Sequence, residues 1–175
     1  SKKTVYYGAD GAMRYGEQKI NGKWYYFHMR TGAMQTGLQT VPLKNGGTKT
    51  VYYGTDGTMR YGEQKIKGKW YYFQQGTGAM QIGFAKVSGK TVYYGEDGAM
   101  RYEHQLIDGD YYYFHPKTGA MQTGLLDFGG DRWGFYGADG KQIPMIDAKT
   151  AIDAAHEFLK ETISDEDLEI IKGHY

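Results

Sequence analysis

Short aromatic runs, separated by polar stretches rich in glycine, set the rhythm of this chain. The run Lys69-Trp70-Tyr71-Tyr72-Phe73 consists largely of residues favoured in strands. A glycine-containing segment follows, and the apolar pattern resumes at Met80-Gln81. This alternation predicts a β-hairpin of two short strands, and the same pattern recurs along most of the chain. After Asp147 the period changes. Ala151, Ile152, Ala155, Phe158 and Leu159 fall at helical spacing. Ser164, with Asp167 three residues on, has the form of a helix-capping box and predicts a second helix over 165–172.

The recurrence is an internal repeat. Residues 4–20 return at 50–66 and, loosened, at 91–107, spacings of 46 and 41 residues. Each unit continues with Gly-Lys-Trp-Tyr-Tyr-Phe at 22–27 and 68–73, varied to Gly-Asp-Tyr-Tyr-Tyr-Phe at 109–114. Its halves are themselves alike. Val5-Tyr6-Tyr7 lines up with Trp24-Tyr25-Tyr26, Gly11-Ala12-Met13 with Gly32-Ala33-Met34, and Gly16-Glu17 with Gly37-Leu38. The elementary copy is thus about 20 residues, alternating a Val form with a Trp form. Six copies are followed by a degenerate seventh over 129–140.

One such hairpin cannot bury enough surface to stand alone, whereas stacked copies can. The expected fold is all-β, a solenoid of stacked hairpins over residues 1–146. Met13, Met34, Met59, Met80, Met100 and Met121 are expected along its spine. The helical segment 147–175 is expected to cap the open end, the alternative being a homodimer or partner contact through that tail.

Composition narrows the function. Phe, Trp and Tyr make up 16% of the chain, with 18 tyrosines, which argues against disorder. Tyrosine couples a large apolar ring to a polar tip, so it suits half-exposed binding faces. Net charge is +1, from 21 basic and 20 acidic residues spread along the chain, which speaks against a nucleic-acid partner. No apolar run approaches membrane-spanning length, so no membrane insertion is expected. Without cysteine there are no disulfides or thiolate metal sites.

Candidate catalytic groups reduce to structural ones. Asp10, Asp56, Asp97 and Asp139 each precede a glycine in an expected turn, and turn chemistry accounts for them. His28, His104, His115, His156 and His174 show no paired metal-ligand spacing. The glycines of 83–91 are spaced one residue too far for a phosphate-binding loop, and the segment leads into a strand. Chemistry repeated in every copy fits binding and not catalysis. No enzyme activity, metal or cofactor is expected.

The pattern Gly-x-Trp-Tyr-Tyr-Phe…Thr-Gly-Ala-Met-x-Thr-Gly resembles the cell-wall-binding repeat family over about residues 4–140. That family includes the choline-binding modules of lysins and the glucan-binding repeats of glucosyltransferases. The resemblance implies ligand sites in grooves between hairpins and a role in targeting a larger protein to the bacterial surface, outside the cell. The implied partner is a wall polymer: polysaccharide, teichoic acid or glucan; the alternatives are a choline-binding module or a structural or adhesive repeat spacer without a glycan ligand.

Choline cages of the family use a Gly-Trp tryptophan, the Trp of Trp-Tyr-Tyr and a ring of an adjacent hairpin. The first element is replaced throughout, by Glu17, Leu38, Glu63, Phe84, His104 and Leu125. A quaternary ammonium needs several ring faces, so choline is the second choice. A sugar needs one flat ring and nearby hydroxyl or amide groups. The candidate ligand-binding residues are therefore Trp24, Tyr26, Trp70, Tyr72, Phe84, Tyr111, Tyr113 and Trp133, with a best groove near Trp70 and Phe84. Tyr6, Tyr52 and Tyr93, which follow Val, are expected to pack.

Overall fold

The computed structural model describes residues 3–130 and 132–144. Within them the protein is all β. The strands are β1 (Gly16–Ile20), β2 (Lys23–Phe27), β3 (Gly37–Pro42), β4 (Thr48–Tyr53), β5 (Gly62–Ile66), β6 (Lys69–Phe73), β7 (Gly83–Val87), β8 (Lys90–Tyr94), β9 (Glu103–Ile107), β10 (Asp110–Phe114), β11 (Gly124–Asp127), β12 (Trp133–Tyr136) and β13 (Gln142–Ile143). They pair in sequence order as five two-stranded hairpins and one three-stranded sheet, β11-β12-β13. The helices expected beyond residue 147, with the cap or dimer role given to them, lie outside the described residues.

The chain divides into two units. The first runs to Gly83 and takes in Tyr94–Met100; the second holds Phe84–Tyr93 and the chain from Arg101 onward.

Each hairpin joins the end of one copy to the start of the next. In four of them the turn is Asn21-Gly22, Lys67-Gly68, Ser88-Gly89 or Asp108-Gly109, with both residues at positive φ. That geometry matches strand twist in two-residue hairpins, and glycine takes it without strain. The hairpin expected within a copy, from Lys69–Phe73 to Met80-Gln81, survives only as an isolated bridge between Phe73 and Met80. The longer first spacing is absorbed in β3–β4, whose six-residue strands are joined through residues 43–47.

The bridges also correct the alignment of the copies. Tyr7 bridges Met13 as Phe27 bridges Met34 and Tyr53 bridges Met59. Val5-Tyr6-Tyr7 therefore matches Tyr25-Tyr26-Phe27, one residue beyond the match read from sequence. Trp24 and Trp70 stand where other copies have Thr4, Thr50 and Thr91. Because side chains alternate faces along a strand, a one-residue shift changes which face each ring occupies.

Consecutive copies are stitched through the methionines, as expected of the spine. The amides of Met34, Met59, Met80, Met100 and Met121 donate to the carbonyls of Thr4, Trp24, Thr50, Trp70 and Thr91 in the copy before. The thioethers of Met13, Met34, Met59, Met80 and Met121 cover Gly32, Gly57, Gly78, Gly98 and Gly140 so closely that a side chain there would collide.

Rings fill the core. Phe27, Tyr53, Phe73 and Tyr94 of the first unit are buried, as are Phe114 and Tyr136 of the second. Each receives a tyrosine of the preceding copy. The pairs Tyr6–Phe27, Tyr26–Tyr53, Tyr52–Phe73, Tyr72–Tyr94, Tyr93–Phe114 and Tyr113–Tyr136 have centroids 5.9–6.4 Å apart. Contacts at this spacing add modestly to the area they bury.

Candidate functional site

Turn chemistry accounts for the aspartates. Asp10, Asp56, Asp97 and Asp139 accept, each at 3.0 Å, from the amides of Ala12, Thr58, Ala99 and Lys141. The Ala12 amide, followed by Arg14, holds the Asp10 carboxyl below its usual range. The Thr58 amide and hydroxyl do the same for Asp56. Among the described residues no group of three or more His, Asp or Glu is placed to hold a metal ion.

The variable positions at the strand starts differ in what surrounds them. Glu17, cross-strand partner of Tyr26, is tied down. Its Oε1 accepts from the buried Tyr53 hydroxyl at 3.2 Å and meets Lys49 Nζ at the same distance. Burial, with the Glu17 charge adding to it, pushes the Tyr53 phenol far above its ordinary range. Tyr26, Val41, Val51, Tyr53 and Met59 form one core cluster, with Trp24 and Tyr61 against it.

Leu38, cross-strand partner of Tyr52, meets a different environment. It lines an open groove of about 810 Å3 together with Thr36, Gly37, Tyr52 and, from the next hairpin, Lys65, Ile66, Lys67, Lys69 and Tyr71. The apolar lining is Leu38, Ile66 and two phenol rings. Lys65, Lys67 and Lys69 contribute to its lining, and no carboxylate does; the Lys65 ammonium itself lies over the Trp70 ring and that of Lys69 at Asp97.

In the second unit Phe84 fills the corresponding position. Its ring centroid lies 4.9 Å from Tyr93, 5.1 Å from Tyr112 and 6.3 Å from Phe114. His104, Tyr113 and Phe128 make a further trio, with all three separations 4.8 Å.

The eight candidate residues separate by accessibility. Trp70, Phe84, Trp133 and Tyr111 are 38%, 41%, 47% and 52% exposed and present ring surface to solvent. Tyr26, Tyr72 and Tyr113 lie in the ring ladder described above, where they pack. Trp24 is half-buried against its core cluster. Both hairpin tryptophans carry a lysine from the facing strand: Lys19 Nζ lies 6.0 Å from the Trp24 ring centroid, and Lys65 Nζ 5.8 Å from that of Trp70. Trp70 and Phe84 belong to different units, and Trp70 does not line the groove of the first.

Sequence reasoning passes over the residues that do line it. Tyr52 is expected only to pack, yet it both stacks on Phe73 and faces the groove. Tyr71 and the three lysines are not singled out at all. Their signal is the run Lys65-Ile66-Lys67-Gly68-Lys69, which reads as an ordinary solvated hairpin tip until the facing Leu38 is placed beside it.

The choline-binding repeat family model matches residues 1–37, 35–83 and 81–125. No curated protein matches the chain. Among solved structures, CbpJ from Streptococcus pneumoniae TIGR4 is similar with TM-score 0.65 and 29% identity, over 76% of this chain and 44% of that one. CbpF in complex with ipratropium has TM-score 0.67 and 30% identity, over 79% and 42%. CbpF from Streptococcus pneumoniae, in the presence of a tetrasaccharide-pentapeptide peptidoglycan analogue, has TM-score 0.67 and 25% identity, over 85% and 50%. The chain thus spans half or less of the length of these proteins. With repeat matches running from residue 1 to residue 125, bridged hairpins and their methionine stitching, the chain belongs to the choline-binding repeat family.

Proposed function

We propose that this chain is a non-catalytic wall-binding module, which holds a larger protein on bacterial wall polysaccharide, teichoic acid or glucan outside the cell. The observation that carries this reading is the open groove floored by Leu38, Tyr52 and Tyr71, a ring-lined cleft at a junction between copies. Support comes also from relatives whose structures contain ipratropium or were determined with a peptidoglycan analogue. In this reading Tyr52 and Tyr71 hold the polymer in the groove, the exposed rings of Trp70, Phe84, Tyr111 and Trp133 add contacts outside it, and Trp24, Tyr26, Tyr72 and Tyr113 back them. Residues 1–146 act as the binding part and 147–175 as a separate tail.

A shallow groove holding one sugar or head group binds at about millimolar strength. Several grooves on one polymer raise avidity by roughly 10²–10⁴. Sedimentation with purified walls, before and after removal of teichoic acid, tests the reading. The chain is expected to co-sediment with intact walls, and failure to do so at any wall load would reject it.

The Phe84, Tyr93 and Tyr112 rings favour a second reading, in which one groove takes choline itself. Choline would then give a saturable change in near-ultraviolet dichroism that Phe84→Ala abolishes. A flat titration through low millimolar choline removes this reading.

A further inference from the structure

Two junctions of the array are built from the same parts. In the first unit Leu38 of β3 faces Tyr52 across its hairpin, and Ile66 and Tyr71 come from the next hairpin. In the second unit the corresponding residues are Phe84, Tyr93, Ile107 and Tyr112. The walls match, since Tyr52 stacks on Phe73 at 5.9 Å and Tyr93 on Phe114 at 6.2 Å. What differs is the residue after the glycine that opens β3 or β7, leucine in one junction and phenylalanine in the other.

The phenylalanine ring closes on the walls beside it. Its centroid lies 4.9 Å from Tyr93 and 5.1 Å from Tyr112, with interplanar angles of 60° and 59°, near the edge-to-face arrangement that aromatic pairs prefer. Tyr112 is only 7% exposed and belongs to a core cluster with Ile107 and Phe114, against which Tyr93 packs. Leucine brings no ring to the same place. Beside Leu38 the junction is a cleft of about 810 Å3, along which Tyr71 stays half-buried.

We infer that the residue at this position decides whether a junction is a ligand groove or a filled one. Phe84 is a built-in plug, whose ring occupies the space that Leu38 leaves to a ligand between Tyr52 and Tyr71. Leu38 is thus a specificity-determining residue through what it leaves empty. That a ligand enters beside Leu38 rests on the wall-binding reading; the plug at Phe84 does not.

Reciprocal exchange in the full chain is the test. Hydroxyl-radical labelling, located by mass spectrometry, should modify Tyr71 more than Tyr112 in the parent. Leu38→Phe should protect Tyr71, and Phe84→Leu should open Tyr112 to labelling. In sedimentation with purified walls, Leu38→Phe should lose about tenfold in affinity as one groove closes, and Phe84→Leu should gain about threefold as another opens. Thermal unfolding checks that both variants fold. Leu38→Phe should melt no lower than the parent, because its ring enters an open cleft and crowds no packed core.

Unchanged labelling of Tyr71 in Leu38→Phe, or of Tyr112 in Phe84→Leu, would overturn the plug. So would a saturable choline signal that Phe84→Ala abolishes, since the ring cluster would then be a cage. Labelling that shifts as expected while wall affinity stays put in both variants would overturn Leu38 as the position that admits ligand. If the parent fails to sediment with walls at any load, the wall-binding reading falls, and labelling alone decides the plug.

Discussion

The hydroxyl of Tyr53 donates to Glu17 Oε1 at 3.2 Å, joining β4 to β1 across 36 residues of sequence. Lys49 shares that carboxylate. A buried hydrogen bond to a charged acceptor is worth about 1.5–3 kcal/mol, more than a neutral one. Tyr53→Phe is therefore expected to lower unfolding stability by about 1–2 kcal/mol in urea. Glu17→Gln keeps an acceptor but loses the Lys49 ion pair, and should cost less. If Tyr53→Phe is as stable as the parent, the bond contributes nothing.

Alkali should unfold the protein from the inside. Burial pushes the phenols of Tyr53, Tyr61, Tyr112 and Tyr136 above their ordinary value of 10.0. Once pH passes the unfolded value, the unfolded chain releases these protons while the folded chain keeps them. The folded state then binds more protons, so stability falls as pH rises. It is unaffected by these groups below about pH 9. Tyrosinate absorbance at 295 nm should appear together with loss of dichroism above about pH 10. A smooth titration of all tyrosines in a chain that stays folded would contradict this.

One copy departs from a local rule and should be improvable. β1, β3, β5, β7 and β11 begin with glycine at positive φ, but β9 begins with Glu103 at φ 57. A left-handed conformation costs a residue with a side chain roughly 1–2 kcal/mol. Glu103→Gly should stabilise the protein by about 0.5–1 kcal/mol, seen as a higher urea midpoint with unchanged slope. A lower midpoint would mean that the Glu103 side chain makes a contact worth more than the strain.

Binding to wall polymer should depend on Tyr52 more than on Trp70. Tyr52 lines the groove, whereas Trp70 does not and carries Lys65 Nζ over its ring. Tyr52→Ala should weaken polymer binding about fivefold or more, and Tyr52→Phe should keep most of it because the ring remains. Since Tyr52 also stacks on Phe73, unfolding must be followed in parallel. A folded Tyr52→Ala variant that binds as the parent does, beside a Trp70→Ala variant that does not, would transfer the site to the exposed tryptophan face.

Much of this architecture is legible before any coordinate. The methionine positions mark the spine because they recur in register, and the Asp-Gly pairs mark turns because an aspartate next to glycine accepts from a nearby amide. The partner of each strand is not legible in the same way. Lys67-Gly68 and Ser88-Gly89 are two-residue hairpin turns, but they sit between apparent copies, so a repeat parsed at Thr4 cuts every hairpin in half. The offset of Trp24 against Thr4 has a similar origin: matching Tyr-Tyr to Tyr-Tyr maximises identity, while space matches Tyr7 to Phe27 through their methionine partners. The groove was hidden for another reason. Leu38 and Lys67 lie 29 residues apart, and nothing local to either shows that they face the same cleft.

The stitching of the copies also limits how the array can change length. Carbonyl acceptors for the methionine amides alternate Thr4, Trp24, Thr50, Trp70, Thr91, so successive junctions are of two kinds. The Trp24 junction encloses the Glu17, Lys49 and Tyr53 contacts, the Thr50 junction the groove of Leu38 and Tyr71, and the Thr91 junction the Phe84 ring cluster. Excising residues 50–90 would leave a Trp-type copy followed by a Thr-type copy, and every remaining junction would be of a kind the chain already contains. Excising one copy of about 20 residues would instead set two copies of the same type against each other. Growth and shrinkage without repacking thus proceed by twos.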